Sequence, residues 1–213
     1  MPKLTRWGGT LFAGAAVAAA CLSGGPALAA GPVAALRWTV TPGGAVSGSA
    51  GTTTLQDSTT GITLTCSSSA ATGSLKSGSG LANPLGTIQT LTFSNCTGPL
   101  GISFSTSVTG PFPLNATAYN AGTGVTTGRI GKIHGSISGP LCSATVDGSS
   151  ATANNGAVRA HYKNATGKLT VLTTGGNLHI YNVSGCFGLI NSGDTATFSG
   201  SYTITPKQAI SSP

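Results

Sequence analysis

The chain has 213 residues, of which only 6% are charged, and its formal net charge is +7 because ten basic residues outnumber three acids. All three acids are aspartates, which argues against catalysis by a pair of positioned carboxylates, as in glycosidases. Low charge with abundant Gly, Ser and Thr is typical of extracellular β-proteins, and regularly spaced apolar residues argue against disorder.

The first 29 residues have the three zones of an export signal. A basic start with Lys3 and Arg6 precedes an apolar stretch over residues 11–22, and a small-residue cleavage site ends at Ala29. The apolar stretch is shorter than the about 20 residues that a membrane-spanning helix needs. We therefore expect a signal peptide at 1–29 and a mature chain that does not span a membrane.

Cleavage before Ala30 leaves residues 30–213, a length that suits a single domain. We expect this domain to be secreted, either extracellular or loosely associated with the cell envelope. Small residues before Cys21 also allow a lipoprotein signal. The leucine that usually stands three residues before a lipidated cysteine is absent, so we favour the secretory alternative.

Alternating apolar and hydroxyl residues predict short, half-buried strands along the whole mature chain. Clusters of Gly, Pro, Asn and Ser separate them, as in turns. Strands at this spacing predict an all-β fold, a β-sandwich or barrel-like antiparallel domain, with no helix of any length. In chain order the predicted strands are 38–40, 62–66, 87–94, 102–104, 129–138, 143–146, 157–163, 169–173, 178–184 and 195–205.

Four cysteines of the mature chain can pair in three ways. We favour Cys66–Cys96 with Cys142–Cys186, because each pair is then local to one half of the chain. These disulfides would close loops of about 30 and 45 residues, and each would stabilise the fold by roughly 3.5 to 4 kcal/mol. The spacing is wrong for a metal site, and no cofactor is expected.

Several basic side chains are expected on one strand face, because they alternate with apolar residues along one predicted strand. The functional interpretation is an anion-facing patch for wall polyphosphates or phospholipid headgroups, and the commoner alternative is a solvated surface. Nucleic acid is a poor partner, since aromatic residues are not interleaved with the bases. The candidate patch consists of Arg129, Lys132, Arg159, His161, Lys163 and Lys168.

A serine hydrolase is a weak alternative. Histidines occur at His134, His161 and His179, but no nucleophile elbow joins a strand to a helix, and the Gly-Ser-Gly run at 78–80 is predicted to be a polar loop. The aspartates stand in turn contexts, where they cap backbone N–H groups. We therefore expect no enzyme, and a His–Asp pair within hydrogen-bond reach would favour the opposite.

Four runs carry a resemblance to known secreted proteins. The chain resembles a group of secreted actinobacterial Ser/Thr/Gly-rich proteins without assigned activity and, more distantly, the family called protein activator of alkane oxidation. The resemblance implies an extracellular or surface role and supplies no catalytic residues. The runs are Trp38-Thr39-Val40-Thr41-Pro42, Leu64-Thr65-Cys66, residues 92–98 and residues 198–206.

The leading hypothesis is a non-catalytic, secreted or envelope-associated β-sandwich that acts as a surface structural or interaction module. Self-association is a further alternative, because strands with few charges lack the lysines that protect sheet edges. The second hypothesis is a carrier of a small apolar ligand, similar to the neocarzinostatin apoproteins in low charge, Gly/Thr/Ala content and two disulfides. A cleft lined by Phe112, Tyr119, Tyr181 or Phe187 would favour the carrier.

Overall fold

The computed structural model describes residues 36–213, so the predicted signal peptide, its cleavage site and Cys21 lie outside the described residues. Those residues form sixteen strands and one short 3₁₀ helix, Pro99–Gly101. The strands are β1 (Trp38–Thr41), β2 (Gly44–Ala50), β3 (Thr53–Asp57), β4 (Thr63–Leu75), β5 (Gly78–Leu81), β6 (Gly86–Thr97), β7 (Ser103–Val108), β8 (Phe112–Asn120), β9 (Val125–Ile133), β10 (Gly135–Gly139), β11 (Cys142–Asp147), β12 (Gly156–Lys163), β13 (Lys168–Leu172), β14 (Leu178–Ser184), β15 (Thr195–Thr205) and β16 (Ala209–Ser211).

The predicted all-β, antiparallel fold is confirmed, with differences in detail. The strand predicted over residues 129–138 is two strands, because the chain leaves the ladder at His134 between β9 and β10. The run at 78–80, predicted to be a loop, belongs to β5. Strands β2, β3, β8 and β16 are not among the predicted strands. Strands β2, β3 and β16 each contain only one large apolar residue, which is too few to show alternation.

The larger sheet closes on itself in two rings of eight strands. The first ring runs β2, β4, β6, β8, β9, β12, β13 and β15, and β15 pairs again with β2. The second ring runs β3, β4, β6, β7, β10, β11, β14 and β15, and β15 pairs again with β3. The fold is therefore barrel-like.

Three strands belong to both rings, namely β4, β6 and β15. They are the longest, with 13, 12 and 11 residues. Residues 200–205 of β15 pair with β13 and β2 in the first ring, whereas residues 195–199 pair with β14 and β3 in the second. The two rings are thus stacked end to end on shared strands.

A separate three-stranded sheet, which we call the cap sheet, has the order β16-β1-β5. Trp38 and Val40 of β1 are fully buried against side chains of the first ring, among them Tyr162. The Tyr162 hydroxyl donates to the Gln208 carbonyl at 3.0 Å and accepts the Gln208 N–H at 2.8 Å. Burial raises the pKa of Tyr162 despite this hydrogen bond. The cap sheet therefore closes one end of the first ring.

Both predicted disulfides are confirmed. Cys66 of β4 lies directly opposite Cys96 of β6, with 3.9 Å between their Cα atoms. Cys142 at the start of β11 is joined to Cys186 just after β14, with a Cα separation of 4.4 Å. Both bonds lie in the second ring, at the end away from the cap sheet.

Among residues 36–213, no helix is both long and apolar enough to cross a membrane. The same residues contain no group of three or more side chains arranged to hold a metal ion.

Candidate functional site

The interior of the rings contains an apolar cavity of about 210 Å³. Its wall includes Leu91 and Phe93 of β6 and Phe198 of β15, which point inward yet stay only partly buried. Inward apolar side chains in a filled core would be almost completely inaccessible to water. The partial exposure of these three therefore reflects unfilled space inside the rings.

The space follows from strand number and from small inward residues. A closed ring of about eight strands is just wide enough for side chains to fill it or for one small ligand. In the first ring several inward positions carry small residues, including Gly48, Ala71 and Ala160, all of which line the cavity. The side chains present are thus too small to fill the ring.

Aromatic contact narrows the cavity in the second ring. The rings of Phe93 of β6 and Phe198 of β15, whose strands are separated by β3 and β4, meet edge to face with centroids 5.7 Å apart. Leu64, Cys66 and Cys96 form a buried cluster beyond them. The open volume therefore extends from the cap sheet to about the level of the Cys66–Cys96 disulfide.

The wall is open along one stretch of β6, which we call the seam. Among the described residues, β6 pairs with β8 only over residues 86–88 and with β7 only over residues 96–97. Residues 89–95 therefore have no ladder partner on the side away from β4. Across the seam, residues 105–108 of β7 pair with β10 on their other edge and have no ladder partner toward β6.

Side chains from both edges of the seam line the cavity. Leu91 and Phe93 come from β6, and Thr106 and Val108 come from β7. A Cβ placed on Gly110 would lie 2.8 Å from the Gln89 carbonyl oxygen, so the two edges approach each other closely at the first-ring end. The seam is consequently the part of the wall where no backbone ladder separates the cavity from solvent.

The polar atoms of the cavity wall fall into two groups. The Tyr202 hydroxyl is paired with the Ser69 hydroxyl at 2.9 Å, and Ser69 donates to the Thr92 carbonyl at 2.8 Å. Burial raises the pKa of Tyr202, against the lowering effect of Ser69. The hydroxyls of Thr53 and Thr106, by contrast, are buried without any hydrogen-bond partner.

Of the four aromatic residues that the sequence suggested for a cleft, only Phe112 lines the cavity. Tyr119 packs against the cap-sheet cluster, and the Tyr181 hydroxyl donates to the Gly148 carbonyl at 2.9 Å. Phe187 is 82% exposed in a loop. Period-two alternation identifies inward residues such as Leu91, but strand closure decides which of them face an empty space.

The structure brings most of the predicted basic patch onto one face of the first ring. Arg129 of β9 lies directly opposite Arg159 of β12, and Lys163 of β12 lies directly opposite Lys168 of β13. His161 lies between them on β12. Directly opposed like charges destabilise a sheet. Among residues 36–213, no carboxylate lies within ion-pair distance of a lysine or arginine.

Lys132 extends the patch near the end of β9, where it adopts a positive φ of 56°. Its side chain is exposed, as are those of Arg129, Arg159, Lys163 and Lys168. The six candidate residues therefore share a region of surface, although the anionic partner stays a prediction.

One His–Asp pair lies within hydrogen-bond reach. The Nδ1 atom of His134 is 2.9 Å from Oδ2 of Asp147, a fully buried carboxylate. In the described part of the chain, no serine hydroxyl hydrogen-bonds to His134 to complete a triad. The Asp147 carboxylate also accepts hydrogen bonds from four backbone N–H groups that follow it in the chain. These belong to Gly148, Asn154, Asn155 and Gly156. The pair is thus arranged to hold that loop.

The other two aspartates lie side by side where β3 and β15 meet. Asp57 caps the turn after β3 by accepting the Thr59 N–H at 2.8 Å, and Asp194 accepts the Asn191 N–H at 2.7 Å. Burial raises the pKa of Asp194, but hydrogen bonds from Asn191 hold it below the ordinary value. Because Asp57 is only 2% exposed, the two carboxylates do not form an open acidic pair.

Comparison with known proteins adds no assignment, and the resemblances drawn from the sequence stay predictions. No protein-family model, curated protein or solved structure matches this chain.

Proposed function

We propose that the protein is a non-catalytic binding protein that holds a small apolar ligand inside its strand rings. The observation that carries the proposal is the apolar cavity of about 210 Å³. It is larger than an engineered apolar cavity of about 150 Å³ that stays dry and binds benzene. A concave, mostly apolar cavity with a few polar groups is also the usual form of a small-molecule binding site.

Secretion fits the same proposal. Two disulfides are expected in an oxidising compartment outside the cytoplasm. A carrier outside the cell would shield an apolar molecule from water, and the seam would give that molecule a route into the cavity. The predicted export signal would deliver the protein to that compartment.

Binding of the uncharged fluorescent probe N-phenyl-1-naphthylamine tests the proposal. We expect the wild-type protein to enhance and blue-shift its fluorescence with saturation at one equivalent. Ala71 points into the cavity and Ala70, its neighbour on β4, is exposed on the outer face. Ala71→Phe should weaken probe binding at least tenfold, because the added ring occupies the cavity.

Ala70→Phe is the matched control and should bind the probe as the wild type does. Near-ultraviolet circular dichroism checks that both variants are folded. Equal probe binding by the two variants, or no saturable binding by the wild type, would show that the cavity does not hold ligands.

The basic patch favours a second function, docking onto an anionic polymer of the cell envelope. Its opposed cationic pairs lack carboxylate partners, so an external polyanion would relieve their repulsion. A bilayer is less favoured, because the three most exposed large apolar side chains, Leu100, Leu141 and Phe187, lie in segments that connect or follow strands of the second ring and not beside the patch.

Chromatography on immobilised polyphosphate tests this docking. The double variant Arg159→Ser with Lys163→Ser should elute at clearly lower salt than the wild type. The control, Arg37→Ser with Lys76→Ser, removes the same charge from exposed sites outside the patch. Equal elution of the two double variants would show that only net charge matters.

A further inference from the structure

The cavity wall contains two polar groups whose hydrogen-bonding capacity is unused. The hydroxyls of Thr53 and Thr106 are buried and have no partner, and both residues line the cavity. Thr53 is 1% exposed. A buried hydroxyl without a hydrogen bond costs free energy, so such groups are rare unless they serve a ligand or a structural water.

Strand register places the two threonines at one level of the rings. Thr53 of β3 is opposite Cys66, which is opposite Cys96, which in turn is opposite Phe104 of β7. Thr106 is the next inward residue after Phe104. Both hydroxyls therefore lie near the disulfide end of the cavity, and Thr106 also borders the seam.

The rest of the wall sets the remaining chemistry of a ligand. From this level to the cap sheet the cavity is lined by apolar side chains such as Val46, Leu85 and Ile210. Among residues 36–213, Arg129 is the only charged residue of the wall, and its side chain is exposed on the outer face, whereas the buried Asp57 and Asp147 do not line the cavity. A charged ligand would be left unpaired there at high cost, whereas an uncharged apolar body is favoured.

We propose that the natural ligand is a small uncharged amphiphile, with an apolar chain or ring and one terminal hydroxyl or carbonyl oxygen, and that the hydroxyl of Thr53 or of Thr106 binds this oxygen. The inference rests on the proposed ligand-binding function. The oxygen lies at the disulfide end beside the seam, and the apolar body extends toward the cap sheet. Both residues line the cavity, and rotation about Cα–Cβ is the movement that would turn a buried threonine hydroxyl toward it without a change in the backbone.

Two probes of nearly the same shape test this ligand class. They are 4-butylphenol and 4-butyltoluene, which differ by a hydroxyl in place of a methyl, and each is titrated as a competitor of N-phenyl-1-naphthylamine at pH 7. In the double variant Thr53→Val with Thr106→Val, 4-butylphenol should bind about tenfold more weakly than in the wild type. Affinity for 4-butyltoluene should be unchanged or slightly higher.

Thr92→Val is the control, because Thr92 is exposed on the outer face of β6. It should change neither affinity. Loss of affinity for both probes to the same extent in the double variant, or no loss for either, would overturn the inference.

A measurement on the wild type keeps the test decisive if the double variant does not fold. The affinity of the wild type for each compound is compared with that compound's partition coefficient from water into cyclohexane. After this correction, the wild type should bind 4-butylphenol more strongly than 4-butyltoluene. Affinities that follow partition alone would overturn the ligand class and leave the carrier function standing. Failure of N-phenyl-1-naphthylamine to bind the wild type would instead overturn the carrier function itself.

Discussion

Asp147 shows what a single buried carboxylate does in a chain with so few charges. Burial alone would raise the pKa of Asp147, but hydrogen bonds from His134 and from the N–H groups of the following loop outweigh it and hold the pKa below its ordinary value. A carboxyl whose pKa is lower in the folded state stabilises the fold above its unfolded-state pKa of about 3.9. That stabilisation is lost as the pH falls through the lower, folded-state value.

Asp147→Asn should lower the free energy of unfolding at pH 7 by about 2 to 3 kcal/mol, because an amide nitrogen would then meet N–H donors that are left unsatisfied. Urea denaturation between pH 7 and pH 2 measures this. The difference between variant and wild type should shrink below about pH 4.

Asp194→Asn serves as the control for Asp147. Asp194 accepts hydrogen bonds only from Asn191 at the surface, apart from its contact with Asp57, so the substitution should cost about 1 kcal/mol or less. Equal losses in the two variants would contradict the loop-holding role of Asp147.

At the scale of elements, the seam is the distinctive feature of β6. The same strand is paired with β4 along most of its length on one side and unpaired over residues 89–95 on the other. Backbone N–H groups that face the seam have no ladder acceptor there, so they should exchange with solvent more readily.

Hydrogen exchange followed by nuclear magnetic resonance checks this expectation. Within residues 89–95, amides that face the seam should exchange at least tenfold faster than amides bonded to β4. Residues 202 and 203 of β15, which pair on both sides, provide the comparison. Uniform protection along both strands would show that the seam is closed in solution.

At the scale of the whole molecule, the two rings are not separate folding units. Strands β4, β6 and β15 each contribute pairs to both rings, so neither ring can lose its ladder while the other keeps all of its own. One core cluster also includes residues from both rings, such as Val171 of the first and Ile180 of the second. Shared strands and a shared core favour cooperative unfolding.

Differential scanning calorimetry of the disulfide-intact mature protein should therefore show one transition, with the calorimetric enthalpy equal to the van't Hoff enthalpy. A saturating amount of N-phenyl-1-naphthylamine should shift that single transition upward. Two resolved transitions would show that the rings unfold independently.

Much of the candidate site could not be predicted from the sequence, although most of the strands that form its wall could. Alternation predicted β14 over residues 178–184 and most of β6, because period-two patterns are local. It missed β2, where Val46 is the only large apolar residue. Thr53 and Thr106 could not be singled out, since a threonine in a strand is ordinary and its missing partner is visible only in three dimensions.

The sequence by itself determined the β-structure and the row of bases along β12, and it favoured the two local disulfides, because each depends on residues close together in the chain. Tertiary structure alone decided that the sheet closes into two rings, that small inward residues leave a cavity between them, and that β6 is unpaired at the seam. These features depend on which distant strands become neighbours, and alternation along one strand contains no information about that choice.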